Sequence, residues 1–242
     1  MALKEIEYKG QKFRLSYDLI NPNASKSILI LHGWGSNKDI MKQAFGTYFD
    51  GYEHIYVDMP GFGKSSSSMI LHSEDYAQIM ELFLQTLDAK PTIIMGHSFG
   101  GKVATLLDPK CLVLLSSAGI LVPKPLSVKL QIALVKLLKP FGMKKIRSLF
   151  VATDAKNVSH EMYETFKNVV NENFESNFAK VSSKALLFWG KEDTATPLWT
   201  AQKINTMIPN SKLYPLEGDH FFFLKHTKFI EDKVFQECDE GV

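Results

Sequence analysis

Long apolar runs are missing from this 242-residue chain. No stretch approaches the ~20 residues that a membrane-spanning helix needs. The opening Met1-Ala2-Leu3-Lys4-Glu5-Ile6-Glu7 lacks the apolar core of a signal peptide. Stable membrane insertion is therefore not expected. Cysteine is scarce: Cys111 lies in an apolar run and Cys238 near the tail, spaced neither like metal ligands nor like a disulfide framework. A reducing cytoplasm is the expected setting. An excess of charge is also lacking, since a net charge of +2 argues against a nucleic-acid partner held by overall electrostatics. There is no internal repeat, and no low-complexity tract beyond Ser65–Ser68. What remains is ordinary globular composition, 45% hydrophobic and 22% charged, at a length that suits one large α/β domain.

Apolar periodicity orders that domain. Leu3–Tyr8 and Lys12–Asp18 alternate apolar and polar residues around Lys9-Gly10-Gln11, which predicts an antiparallel hairpin at a sheet edge. Ser27–Leu31, Ile55–Val57, Thr92–Met95, Leu112–Leu115 and Ala185–Gly190 are short and continuously apolar, as inner strands are. Lys212–Leu216 predicts a last strand and Thr227–Glu237 a terminal helix. Between these strands, Ser73–Leu87 carries one apolar stripe at helical spacing, with Ser73 placed to cap it. Alternating strands and helices predict a mostly parallel sheet covered on both faces. One segment breaks the alternation: 119–180 holds no inner strand and predicts several helices, one of them Leu126–Lys139. An insertion of this size reads as a helical lid, with 1–118 and 181–242 forming the core.

Gly96-His97-Ser98-Phe99-Gly100 sits between a strand and the short helix predicted for Gly101–Leu107. In that context G-x-S-x-G is a nucleophile elbow. The turn must be sharp enough to strain the serine, and side chains at 96 and 100 would strike the flanking helix and strand. A serine hydroxyl needs a base, and the base an anchor. Past later strand ends stand Asp193, in Gly190-Lys191-Glu192-Asp193, and His220, in Gly218-Asp219-His220-Phe221. His97 is expected to point elsewhere by backbone alternation, and His32 to tie loop backbone together. Two phosphate-loop lookalikes fail. Gly61–Ser65 lacks the earlier glycine, and Gly96–Lys102 is followed by Val103 rather than a hydroxyl.

With four motifs in this order, the sequence resembles the α/β-hydrolases, over nearly the whole chain. That resemblance implies an eight-stranded, mostly parallel sheet and a catalytic triad of Ser98, His220 and Asp193. Asp193 matches the family's acid position better than Glu192 or Asp219 does. It also implies an oxyanion hole made by the N–H groups of Phe99 and Trp34, the latter in His32-Gly33-Trp34-Gly35. Asp58–Ser65 recurs in the family as a structural loop beneath the site. Such chemistry uses no cofactor and no metal.

His-Gly-Trp-Gly and Asp-x-Pro-Gly-x-Gly-x-Ser are similar to two groups within the superfamily. One hydrolyses pimeloyl-acyl-carrier-protein methyl ester in biotin synthesis; the other breaks a carbon–carbon bond in 2-hydroxy-6-oxo-dienoates. The second group usually has Trp directly after the catalytic histidine and a longer glycine-proline oxyanion loop. Here Phe221-Phe222-Phe223 follows His220, and that longer loop is absent. Charge bears on the choice. Lys124, Lys129, Lys136, Lys139, Lys144, Lys145 and Arg147 fall between Gly119 and Thr153, which holds no Asp or Glu. Lys129, Lys136, Lys139, Lys144, Lys145 and Arg147 are candidate docking residues for an acidic acyl carrier protein, which steering would help to capture. The expected activity is a carboxylesterase acting on a small or medium acyl ester, as a monomer or weak dimer. A catalytically silent binding protein on the same fold is the reading from another class.

Overall fold

The computed structural model describes residues 1–122 and 159–238. Eight strands form one sheet: β1 (Ala2–Tyr8), β2 (Gln11–Ile20), β3 (Lys26–Leu31), β4 (Tyr52–Val57), β5 (Ile93–His97), β6 (Cys111–Leu115), β7 (Lys184–Gly190) and β8 (Ser211–Leu216). Their order is β1-β2-β4-β3-β5-β6-β7-β8. The β1–β2 hairpin pairs antiparallel, as the alternation predicts, and β2 joins β4 antiparallel. Every later pairing is parallel. Among the described residues the helices are α1 (Lys38–Phe45), α2 (Ser73–Thr86), α3 (Phe99–Leu106), α4 (His160–Asn171), α5 (Glu175–Phe178), α6 (Leu198–Met207) and α7 (Phe223–Cys238). None is long and apolar enough to cross a membrane.

Successive strand residues feed opposite faces, so the sheet has two cores. Leu29, Leu31, Ile94, Leu112, Leu114, Leu187 and Trp189 pack with α2 and α3. Ile28, Ile30, Met95, Val113, Leu115, Leu186 and Phe188 pack with α1 and α7. The inner strands are buried on both faces, which is why they read as unbroken apolar runs. From β3 the chain goes to β4 on one side and later to β5 on the other. The crevice at the carboxyl ends of β3 and β5 is thus a switch point, where open α/β sheets place their ligands.

Three details differ from expectation. Ser73 does not cap α2; His72 precedes the helix, and its N–H donates to the Asp75 carboxylate at 2.7 Å. Ser73, inside the helix, donates its hydroxyl to Glu172 instead. The terminal helix begins earlier, at Phe223, and kinks at His226. Cys111 and Cys238 are joined in a disulfide that ties β6 to the end of α7, with Cα atoms 6.0 Å apart. Their sequence separation of 127 hides this pairing. The Leu126–Lys139 helix and the docking residues Lys129, Lys136, Lys139, Lys144, Lys145 and Arg147 lie outside the described residues. Of segment 119–180, α4 and α5 are described, and they return the chain to β7.

Candidate active site

Ser98 stands between β5 and α3 at φ 51° and ψ −113°. A positive φ is strained for any residue with a Cβ. Backbone bonds on both sides hold it there: Ser98 N–H donates to the Leu115 carbonyl, and its own carbonyl accepts from Ala118 and Gly101, each at 3.0 Å. The glycines do what the motif requires. A Cβ on Gly96 would overlap the Gly100 backbone, and one on Gly100 would lie 2.6 Å from the His32 carbonyl and 2.7 Å from that of Leu31. Substitution at either would push α3 off the sheet.

The loop after β3 closes over the elbow. A side chain on Gly33 would come within 3.2 Å of the Ser98 Cβ and 2.9 Å of His97 Nδ1, so Gly33 lets the Trp34 backbone approach the serine. His32 is fully buried and holds this loop. Its Nδ1–H donates to the Gly33 carbonyl at 2.8 Å, while Nε2 accepts from the Met59 N–H at 3.0 Å. Burial pushes its pKa down to about 4, so it stays neutral. His32 thus ties loop backbone together, as expected. Asp58 braces the next loop, accepting from the Lys38 N–H at 2.8 Å and the Lys64 N–H at 3.0 Å. Among the described residues, the N–H groups of Trp34 and Phe99 have no hydrogen-bond acceptor. Free donors flanking a serine are what an oxyanion requires. The half-buried Trp34 indole packs edge-on against Phe62 (4.8 Å) and Phe99 (5.5 Å), and tilted against Phe166 of α4 (5.3 Å).

Asp193 and His220 are brought together from two loops. His220 Nδ1–H donates to Asp193 Oδ2 at 2.7 Å, which leaves the Nε2 lone pair free to take a proton. The Asp193 side chain is wholly buried, and that of His220 is 19% exposed. Burial alone would raise the Asp193 pKa. The bond from His220 and that from the Thr196 N–H outweigh it, and the pKa falls to about 2. Oδ1 accepts from the N–H groups of Ala195 (2.8 Å) and Thr196 (2.9 Å). The two loops meet because position 190 has no side chain; a Cβ there would overlap the Asp219 carbonyl. Glu192 and Asp219 serve loop backbone: Glu192 accepts from Gly218 N–H, and Asp219 accepts from Phe221 N–H at 2.9 Å.

Two residues were not legible as parts of this site. Thr196 lies with its hydroxyl 2.8 Å from Asp193 Oδ2 and 3.1 Å from the Ser116 carbonyl. Only its place beside Pro197 in the acid loop could have marked it. His97 does not turn away from the site: its ring centroid lies 4.6 Å from that of His220. Its position inside the elbow motif was the available signal.

Residues 26–110 match the alpha/beta hydrolase fold family. A pimeloyl-[acyl-carrier protein] methyl ester esterase from Vibrio campbellii is 38% identical over 78 residues, 32% of this chain and 29% of that protein. A 2-hydroxy-6-oxononadienedioate/2-hydroxy-6-oxononatrienedioate hydrolase from Burkholderia vietnamiensis is 26% identical over 244 residues, covering 85% of this chain and 83% of that protein. An esterase from Exiguobacterium antarcticum superposes with a TM-score of 0.75 at 21% identity, over 96% of this chain and 97% of that one. Strand order, the sharp turn at Ser98 and the matched segment together show that this chain has the α/β-hydrolase fold.

Proposed function

We propose that the chain is a serine esterase working through an acyl-enzyme, with Ser98 as nucleophile, His220 as general base and then acid, and Asp193 as the imidazole's anchor. One observation carries this reading: a 2.7 Å His220–Asp193 bond at the loop beside a serine held at φ 51°. The Ser98 hydroxyl attacks the ester carbonyl while His220 Nε2 takes its proton. The Trp34 and Phe99 N–H groups receive the oxyanion. His220 then protonates the departing alcohol, and water releases the acid by the same steps in reverse. Asp193, ionised above pH 2 or so, stabilises the imidazolium formed in each half.

For the substrate we infer an ester with an apolar, medium-length acyl chain, pimeloyl-acyl-carrier-protein methyl ester being the leading candidate. The aromatic surface of Trp34, Phe166 and Phe221 suits such a chain. The 38% likeness over 78 residues supports the candidate, as do the lysines of segment 119–180, which we read as a lid docking an acidic carrier in the cytoplasm. A dienoate hydrolase is the second reading, favoured by the likeness that spans 85% of the chain. Phe221 after His220 weighs against it.

Hydrolysis of short-chain p-nitrophenyl esters by the parent, lost by a factor on the order of 10³ or more in Ser98→Ala, tests the esterase reading. Activity equal in both, or absent from both, would overturn it. Restored growth of a biotin-requiring esterase-deletion strain supports the carrier ester. Dienoate cleavage without such growth would favour the second reading.

A further inference from the structure

We propose that His97 is a positioning residue that sets the aim of His220 by holding its backbone. This inference rests on the esterase reading. His97 ends β5 beside Ser98 and is 2% exposed. Its Nε2 lies 3.0 Å from the carbonyl oxygen of His220, across 123 residues of sequence. A carbonyl only accepts, so Nε2 carries the hydrogen and the ring is the neutral Nε2–H tautomer. Its Nδ1 is buried with no partner among the described residues. Protonation would place an N–H there with no acceptor, and burial drives the pKa down to about 3. The ring is thus a constant donor throughout the working pH range.

That donor has no substitute. The His220 loop is otherwise tied to the acid loop and to itself: Glu192 N–H donates to Gly218 at 3.0 Å, and Phe222 N–H to Asp219 at 3.1 Å. Among the described residues, the His97 bond is the one hydrogen bond joining this loop to the nucleophile strand. Asp193 fixes one ring atom of His220, which leaves the imidazole a hinge about that contact. A second fixed point, at its own carbonyl, defines where Nε2 stands relative to Ser98. Phe221 and Phe223 flank the His97 ring at 5.3 and 4.9 Å. A Cβ on Gly33 would lie 2.9 Å from Nδ1, so the ring also stands close against the loop after β3.

The test compares His97→Leu, His97→Asn and His97→Gln. Glutamine can carry an N–H to where Nε2 stood; asparagine is too short, and leucine has no donor. Two readouts serve: ester hydrolysis, and the rate at which a fluorophosphonate labels Ser98, which needs the base but no particular substrate. The expected result is a fall in kcat and labelling rate of about 10- to 100-fold for Leu and Asn with KM nearly unchanged. His97→Gln should recover to within a few-fold of the parent. Equal losses in all three variants, or a Leu variant within twofold of the parent, would overturn the role. Should Leu fail to fold, Asn against Gln makes the same comparison. A parent unlabelled at Ser98, or a Ser98→Ala variant labelled at the same rate, instead overturns the esterase reading and this role with it.

Discussion

The ammonium of Lys102 lies 2.6 Å from the Glu172 carboxylate and 2.7 Å from the Val169 carbonyl, with the lysine 1% exposed. Lys102 belongs to α3, the helix that starts just after Ser98; Glu172 ends α4 and also accepts from the Ser73 N–H of α2 at 3.1 Å. One carboxylate therefore joins three elements. Burial depresses the Lys102 pKa, and Glu172 opposes that effect.

Breaking this pair should cost more than removing it. Glu172→Gln leaves a buried ammonium unpaired, and we expect a loss of about 3 kcal/mol. Lys102→Met leaves Glu172 with Ser73 and some solvent and should cost less. The double variant should be more stable than the sum of the two losses implies. Urea unfolding of all four proteins measures this, and simple additivity would contradict the coupling.

Acid should weaken the fold well above the carboxylate range. His32 and His97 have pKa values of about 4 and about 3 in the folded chain, against about 6.5 unfolded. Below 6.5 the unfolded chain binds protons that the folded one refuses, so stability falls as pH drops toward 4. The slope should be about 1 kcal/mol per pH unit for each histidine. Asp193 adds a later loss: its pKa of about 2 gives stability present above 3.8 and lost as pH falls through 2. Unfolding midpoints between pH 7 and 4 check the first slope, which should be shallower in His97→Leu. A flat curve in the parent would count against both buried neutral rings.

Gly190→Ala probes how closely the Asp193 and His220 loops approach. The added Cβ would overlap the Asp219 carbonyl and displace the His220 loop. A shift of about 1 Å at a catalytic group can cost on the order of 10² in rate. Activity should fall by that order while the protein stays folded by circular dichroism. Unchanged activity would mean that the loops are not in register through Gly190.

The two cysteines should titrate as a pair. With Cys111 bonded to Cys238, the unfolded, unreduced protein should show no thiol, and reduction should destabilise it by roughly 4–5 kcal/mol for a loop this long. Two thiols in protein kept from air would indicate the reduced state that a cytoplasm favours.

The sequence makes this site legible where backbone sterics dictate residue type. Gly96, Gly100 and Gly33 are visible because any side chain there would strike named backbone or side-chain atoms. The inner strands are visible because burial on both faces demands continuous apolar runs. Contacts between distant loops leave no such mark. The Thr196 and His97 hydroxyl and ring bonds depend on chain segments far apart in sequence, and nothing local records them. The cap of α2 departs from the local pattern for a related reason: Ser73 is a good local cap, but Glu172, 99 residues on, claims its hydroxyl.

Intact-mass spectrometry during turnover of an activated ester tests the central claim most directly. We expect a single acyl adduct that peptide mapping assigns to Ser98, that accumulates in His220→Ala if formed there at all, and that is absent from Ser98→Ala. An adduct on another residue, or steady turnover unaffected by loss of the hydroxyl at 98, would contradict the account.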